Sequence, residues 1–213
     1  MRYADCAAAD RGLLAAMRDC GGRPGVAGAA RALSHAGEHG ALWLAAGLAG
    51  AAVDHRRRSR WLRATALIGT AHLASLCLKW TVRRARPGPV PVSAPDRRVP
   101  ASGTASPGVP QTVRADAAGS AAALGPLVRT AGPYSFPSSH ATSAAAAAVV
   151  FGALLPAAEP AVAVLAAAMC VSRLVVGVHY PSDVAAGAAL GGLAARLGSR
   201  WTGGRGPCGG RAE

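Results

Sequence analysis

Five runs of the chain are predominantly apolar: His39 to Val53, Trp61 to Leu78, Ala141 to Leu155, Ala161 to Val178 and Val184 to Leu197. Each is 14 to 18 residues long, short of the roughly 20 that a helix needs to cross hydrocarbon, so the flanks must contribute or the bilayer must thin. A further apolar segment, Ala27 to Leu33, either extends the first run or forms a separate interfacial helix. The pattern predicts an all-α fold, an integral membrane helical bundle of five to six transmembrane helices. The chain then divides into an N-terminal amphipathic or interfacial segment at 1–35, a membrane domain at 36–202 carrying a long flexible loop at 88–133, and a disordered tail at 203–213. The loop is read from its repeated Pro, Gly and Ser, the tail from its glycines.

Composition sharpens this picture. Hydrophobic residues make up 51% of the chain and aromatic residues only 4%; the surplus is alanine, which favours helices and lets them pack closely. The four tryptophans, Trp43, Trp61, Trp80 and Trp201, stand at the ends of runs, where an interfacial belt would place them. Cys6, Cys20, Cys77, Cys170 and Cys208 show no paired spacing, which argues against a disulfide framework or a zinc site. The stretch from Met1 to Gly25 holds Asp5, Asp10 and Asp19 and no long apolar core, so it does not read as a signal peptide.

A formal net charge of +13 raises nucleic acid as a partner. The charges do not form one face, however. Arg56, Arg57, Arg58 and Arg60 lie between two runs with Arg63 at the start of the second, and Arg196 stands at the end of the last run with Arg200, Arg205 and Arg211 after it, as charges that orient membrane helices do. No basic and aromatic interleaving accompanies them, so the partner is the membrane and not nucleic acid. Of the 23 basic residues only Lys79 is lysine. Where arginine has replaced lysine wherever charge alone matters, the remaining lysine is expected to do what a guanidinium cannot.

Three polar segments interrupt the apolar pattern: Lys79 with Arg86-Pro87, then Pro137-Ser138-Ser139-His140, then Ser172-Arg173 with His179 and Asp183. Each sits at the end of a run, and tracing the chain through a bilayer brings all three to one membrane interface. Polar groups at such a place are functional by default. Two histidines, a carboxylate and the cations Lys79, Arg86 and Arg173 fit a phosphate group, with Ser138 and the amides that open the third helix as further donors. Phosphoryl transfer asks chiefly for positioning and charge stabilisation, which three cations supply. Asp183, four residues after His179, can hold one ring nitrogen so that the other attacks phosphorus, and Pro181 between them predicts a tight turn. His140 is left to protonate the departing oxygen. Arg83 and Arg84 read as interfacial anchors, and His72 and Ser75, on the helical face of Lys79, as polar contacts between helices. Glu38, His39, His35 and His55 are assigned no chemistry.

These segments resemble, in residue identity, spacing and order, the three signature motifs of the type 2 phosphatidic acid phosphatase superfamily, which also contains vanadium haloperoxidases; the resemblance covers Lys79 to Asp183. The one departure is Ser139, where the family usually has glycine; serine keeps the backbone amide that the glycine offers to phosphate. The resemblance implies a phosphohistidine mechanism with His179 as nucleophile, Asp183 as its orienter and His140 as general acid. It implies Lys79, Arg86, Ser138, Ser139 and Arg173 as phosphate ligands. No metal and no cofactor are expected, because there is no carboxylate cluster to hold an ion. The substrate expected is a lipid phosphate: a polyprenyl phosphate or diphosphate, a polyprenyl-phosphosugar phosphate, phosphatidate or phosphatidylglycerol phosphate, with a cell-envelope polyprenyl lipid favoured. The same pocket would suit a vanadate-dependent haloperoxidase or a non-catalytic anion-binding membrane protein. Counting arginines places the loop at 56–63 and the C-terminal tail in the cytoplasm, and the site on the outer face of the cell membrane.

Overall fold

The computed structural model describes residues 3–88, 127 and 132–202. The predicted loop at 88–133, apart from its ends, and the predicted tail at 203–213 lie outside the described residues. Seven α-helices are present among them: α1 (Tyr3–Cys20), α2 (Pro24–Ala36), α3 (Ala41–Val53), α4 (Arg58–Val82), α5 (Ser139–Leu154), α6 (Glu159–Val175) and α7 (Pro181–Thr202). All five apolar runs are helical, and Ala27 to Leu33 belongs to a separate helix, α2. Proline opens α2 and α7 and stands second in α6, positions where its missing amide costs nothing. Among the described residues there is no strand, only an isolated antiparallel bridge between Ala85 and Tyr134.

Helix α5 is the axis of the bundle, with α4, α6 and α7 packed around it and α3 against α4. Its inner face is largely small: Ala141, Ala144, Ala146 and Ala147 are buried, so neighbouring helices approach closely and rely on a few large residues, Ile68, Met169 and Phe151, to fill the space. Helices α1 and α2 lean on α6.

The closest approach is made by α7. A Cβ at Gly187 would fall on the Ser138 carbonyl oxygen, and one at Gly191 on the Thr142 carbonyl oxygen. Only glycine at both positions lets the α7 backbone lie on the first turn of α5, and that contact brings Asp183, one turn earlier, beside Ser138. We expect Gly191→Val to destabilise the protein by about 1–3 kcal/mol or more, because backbone and not a movable side chain opposes it. Gly192→Val, where nothing stands within 4 Å of the new Cβ, should leave the detergent-solubilised protein's thermal unfolding within about 0.5 kcal/mol of wild type. Equal behaviour of the two variants would refute this packing.

Two stretches, His55–Val82 and Pro156–Val175, are long and apolar enough to cross a membrane by length and composition. Helix α3, with 13 residues, and α5, with 16, fall short of that length. Large apolar side chains face outward on every described α-helix but α5, among them Leu48, Leu73, Val164 and Leu193, the surface expected of a bundle solvated by lipid.

The tryptophan belt needs correction. Trp80 is 64% exposed, but Trp43 and Trp61 are 3% and 6% exposed and belong to the core. The reason is the shortage of bulk elsewhere: Trp61 packs on Phe151 with ring centroids 5.3 Å apart, filling volume that alanine and glycine leave open.

Candidate active site

Helix ends build the site. The last turns of α4 and α6 carry Lys79 and Arg173, where cations complement the helix dipole, and the first turn of α5 carries Ser139 and His140, where free backbone amides favour an anion. After α6 the chain reverses at Gly177, whose φ of 76° suits glycine, and His179 follows before α7 begins. A cavity of ≈ 480 Å³ lies among these ends. Lys79, Arg86, Ser139, His140, Arg173 and His179 line it. Six of the eight residues expected from the sequence thus share one cavity.

The other two stand behind its wall. Ser138 is fully buried and serves as the N-cap of α5, its Oγ accepting from the Ala141 amide at 3.5 Å; Ser139 is the serine that lines the cavity. Asp183 is also fully buried. Its Oδ2 accepts from the Tyr180 amide at 2.8 Å and lies 3.7 Å from His179 Nδ1. This is an ion-pair distance just beyond hydrogen bonding, and His179 Nδ1 has no other partner. Catalytic contacts are often this long before substrate binds. Burial drives the His179 imidazole below the usual histidine range against the pull of Asp183, with Lys79, Arg173 and Arg86 adding to the effect. A neutral ring keeps a lone pair available, which a nucleophile requires.

Backbone carbonyls hold Lys79 and Arg86, and a serine hydroxyl holds Arg173. Lys79 Nζ donates to the Ser135 carbonyl at 3.4 Å. Arg86 Nε donates to the Gly132 carbonyl at 2.7 Å and its Nη1 to the Val178 carbonyl at 3.0 Å. Arg173 Nη1 donates to Ser34 Oγ. The Ser34 carbonyl lies 3.1 Å from His140 Nε2; a carbonyl only accepts, so Nε2 carries a proton, and a proton given to a leaving group must come from Nδ1. Residue 34 of α2 thereby orients two groups of the site.

Sequence reasoning missed several of these roles. Arg84, taken for an interfacial anchor, instead reaches Asp183, with Nη1 2.8 Å from Oδ1. Asp10 and Ser34 carried no signal at all, since they act across long sequence separations. His72, whose place on the Lys79 face leaves it either lining the site or making an interhelical contact, lines the cavity, as do Glu38 and His39. Among the described residues no group of three or more His, Cys, Asp or Glu stands ready to hold a metal.

Comparison with known proteins agrees with the geometry. The chain is 40% identical over 178 residues to a decaprenylphosphoryl-5-phosphoribose phosphatase of Mycolicibacterium smegmatis, covering 84% of this chain and 80% of that protein. It is 38% identical over 169 residues to the protein of that name in Mycobacterium tuberculosis strain H37Rv, covering 79% and 76% of the two chains. A lipid A 1-phosphatase of Rhizobium etli matches at 45% over only 58 residues, 27% of this chain and 25% of that one. The fold matches the crystal structure of a transmembrane PAP2 type phosphatidylglycerolphosphate phosphatase from Bacillus subtilis, with a TM-score of 0.66, 22% identity, and coverage of 95% of this chain and 89% of that one. The model of the PAP2 superfamily matches residues 60–207, most of the bundle and all three polar segments, and the chain belongs to that superfamily.

Proposed function

We propose that the protein is a multi-pass membrane phosphatase that hydrolyses a polyprenyl-linked phosphate through a phosphohistidine on His179. The observation that carries this reading is a buried imidazole in a cavity walled by Lys79, Arg86 and Arg173, with a carboxylate behind it. The cations and the Ser139 amide hold the phosphate oxygens. His179 Nε2 attacks phosphorus as the bond to the lipid oxygen breaks, and that oxygen takes the Nδ1 proton of a doubly protonated His140, whose Nε2–H stays on the Ser34 carbonyl. Asp183 stabilises the charge left on the ring. Water then attacks phosphorus, giving its proton to His140, and the P–N bond breaks to release phosphate and restore His179.

The cavity exceeds what one phosphate needs, leaving room for the group beside it in the substrate. The two mycobacterial relatives act, by name, on a polyprenyl-phosphosugar phosphate, and we place that class first among the candidates. On this reading five to six helices span the bilayer. Helix α4 is 25 residues long, about 37 Å at 1.5 Å per residue, so its Arg58 end and its Lys79 end lie at opposite faces. With the arginine-rich end in the cytoplasm, the site opens outward.

The test is phosphate release by detergent-solubilised protein in excess chelator, across polyprenyl-phosphosugar phosphates, polyprenyl phosphates and diphosphates, phosphatidate and phosphatidylglycerol phosphate. We expect full activity under chelation, because the cations of the site replace a metal's charge, with a polyprenyl-phosphosugar phosphate turned over fastest. Loss of activity on chelation, restored by magnesium, would contradict the mechanism, and turnover of glycerolipids alone would contradict the substrate.

A further inference from the structure

The N-terminal helix reaches the catalytic carboxylate through one arginine. Arg84 Nη2 lies 2.9 Å from Asp10 Oδ2 of α1, and Arg84 Nη1 lies 2.8 Å from Asp183 Oδ1 and 2.6 Å from Ser182 Oγ. Asp10 in turn accepts from the Ser182 amide at 2.9 Å and from the Ser182 hydroxyl. The guanidinium also lies 4.3 Å from the centroid of the Tyr180 ring, next to His179 in sequence. Its own carbonyl accepts from the Ser135 amide at 2.8 Å, the residue whose carbonyl holds Lys79. Arg84 is thus held from several sides at once, by Asp10, Ser182 and Asp183 through its guanidinium and by Ser135 through its carbonyl. A planar fork shared between two carboxylates fixes orientation as well as charge.

We propose that Arg84 and Asp10 are positioning residues: Asp10 aims Arg84, and Arg84 holds one oxygen of Asp183 so that the other stays directed at His179. This rests on the reading of His179 and Asp183 as nucleophile and orienter. Asp10 lies outside residues 60–207, the stretch that matches the family, so α1 is a component of the site that this stretch does not contain. Arg84 also draws on the Asp183 charge that would otherwise act on the imidazole alone. The groups facing His179 are Asp183 from α7, Lys79 from α4, Arg86 from the segment after α4, Arg173 from α6 and His140 from α5, with Arg18 of α1 on the nearby Gly177 carbonyl. Of these only Asp183 favours the protonated ring. Without Arg84 its pull on His179 grows, so the ring protonates at higher pH and the acidic limb of kcat/KM moves up.

The test compares Arg84→Gln, Asp10→Asn, the double variant and Asp183→Asn, each in the full-length detergent-solubilised protein, with phosphate release followed across pH. A charge-assisted hydrogen bond lost from each single variant should lower kcat about tenfold while KM changes little, and the double variant should fall less than the product of the two. The acidic limb should shift upward in Arg84→Gln and, by less, in Asp10→Asn. If Arg84→Gln does not fold, the isosteric Asp10→Asn decides by kcat and pH profile together. An inactive Asp183→Asn beside Arg84 and Asp10 variants with wild-type kcat and an unmoved acidic limb overturns the positioning role alone. A fully active Asp183→Asn overturns the reading beneath it as well.

Discussion

Phosphate release should fall by about 10³-fold or more when His179 is replaced by alanine, because removing a covalent nucleophile removes the pathway and not merely a contact. The variant should still bind substrate. Lys79, Arg86 and Arg173 are anchored on the Ser135, Gly132 and Val178 carbonyls and on Ser34, and none of these anchors includes the His179 side chain. The loss is therefore expected in kcat, with KM within about threefold of wild type, the signature of a group needed only in the reaction itself. The substitution also leaves Asp183 with its bonds to Arg84 and the Tyr180 amide, so no charge is stranded and the fold should survive. A folded His179→Ala protein with activity near wild type would exclude His179 as the attacking group.

The second large effect concerns the lone lysine. Lys79→Arg conserves charge, yet we expect a loss of about 10²-fold in kcat, comparable to removing one donor from a transition-state oxyanion. Lys79 is 9% exposed and ends in a compact ammonium beside the Ser135 carbonyl. A guanidinium is wider and planar, and its fork would have to displace either Ser135 or the phosphate oxygens it is meant to hold. Lys79→Arg with undiminished kcat would mean that the position asks only for charge.

What could be read from the sequence follows from how far each constraint extends along the chain. The apolar runs are local patterns, and each became a helix. The three polar segments could be placed together because alternating spans return the chain to the same face, so Lys79, Ser139, His140, Arg173 and His179 meet as expected. Ser138 lies behind the cavity wall as the N-cap of α5, a place that a serine before a helix takes as readily as a ligand position, and the sequence does not separate the two. Trp43 and Trp61 were misplaced because a position at the end of a run does not reveal how little volume the facing helices provide. Asp10, Ser34 and Arg84 were illegible for another reason. Their partners Arg84, Arg173 and Asp183 lie 74, 139 and 99 residues away, and nothing periodic marks such pairs. Arg84 in particular stands two residues before Arg86 in a basic cluster, where an anchor and a catalytic neighbour look alike.

The central claim, that phosphate passes through His179, is tested most directly by rapid acid-free quenching of the enzyme during turnover of a lipid labelled in its terminal phosphate, followed by peptide mapping. The account predicts label on the peptide that carries His179, stable to alkali, labile to acid and absent from His179→Ala. Rapid turnover with no label on protein at any time, or label that persists in His179→Ala, would contradict it.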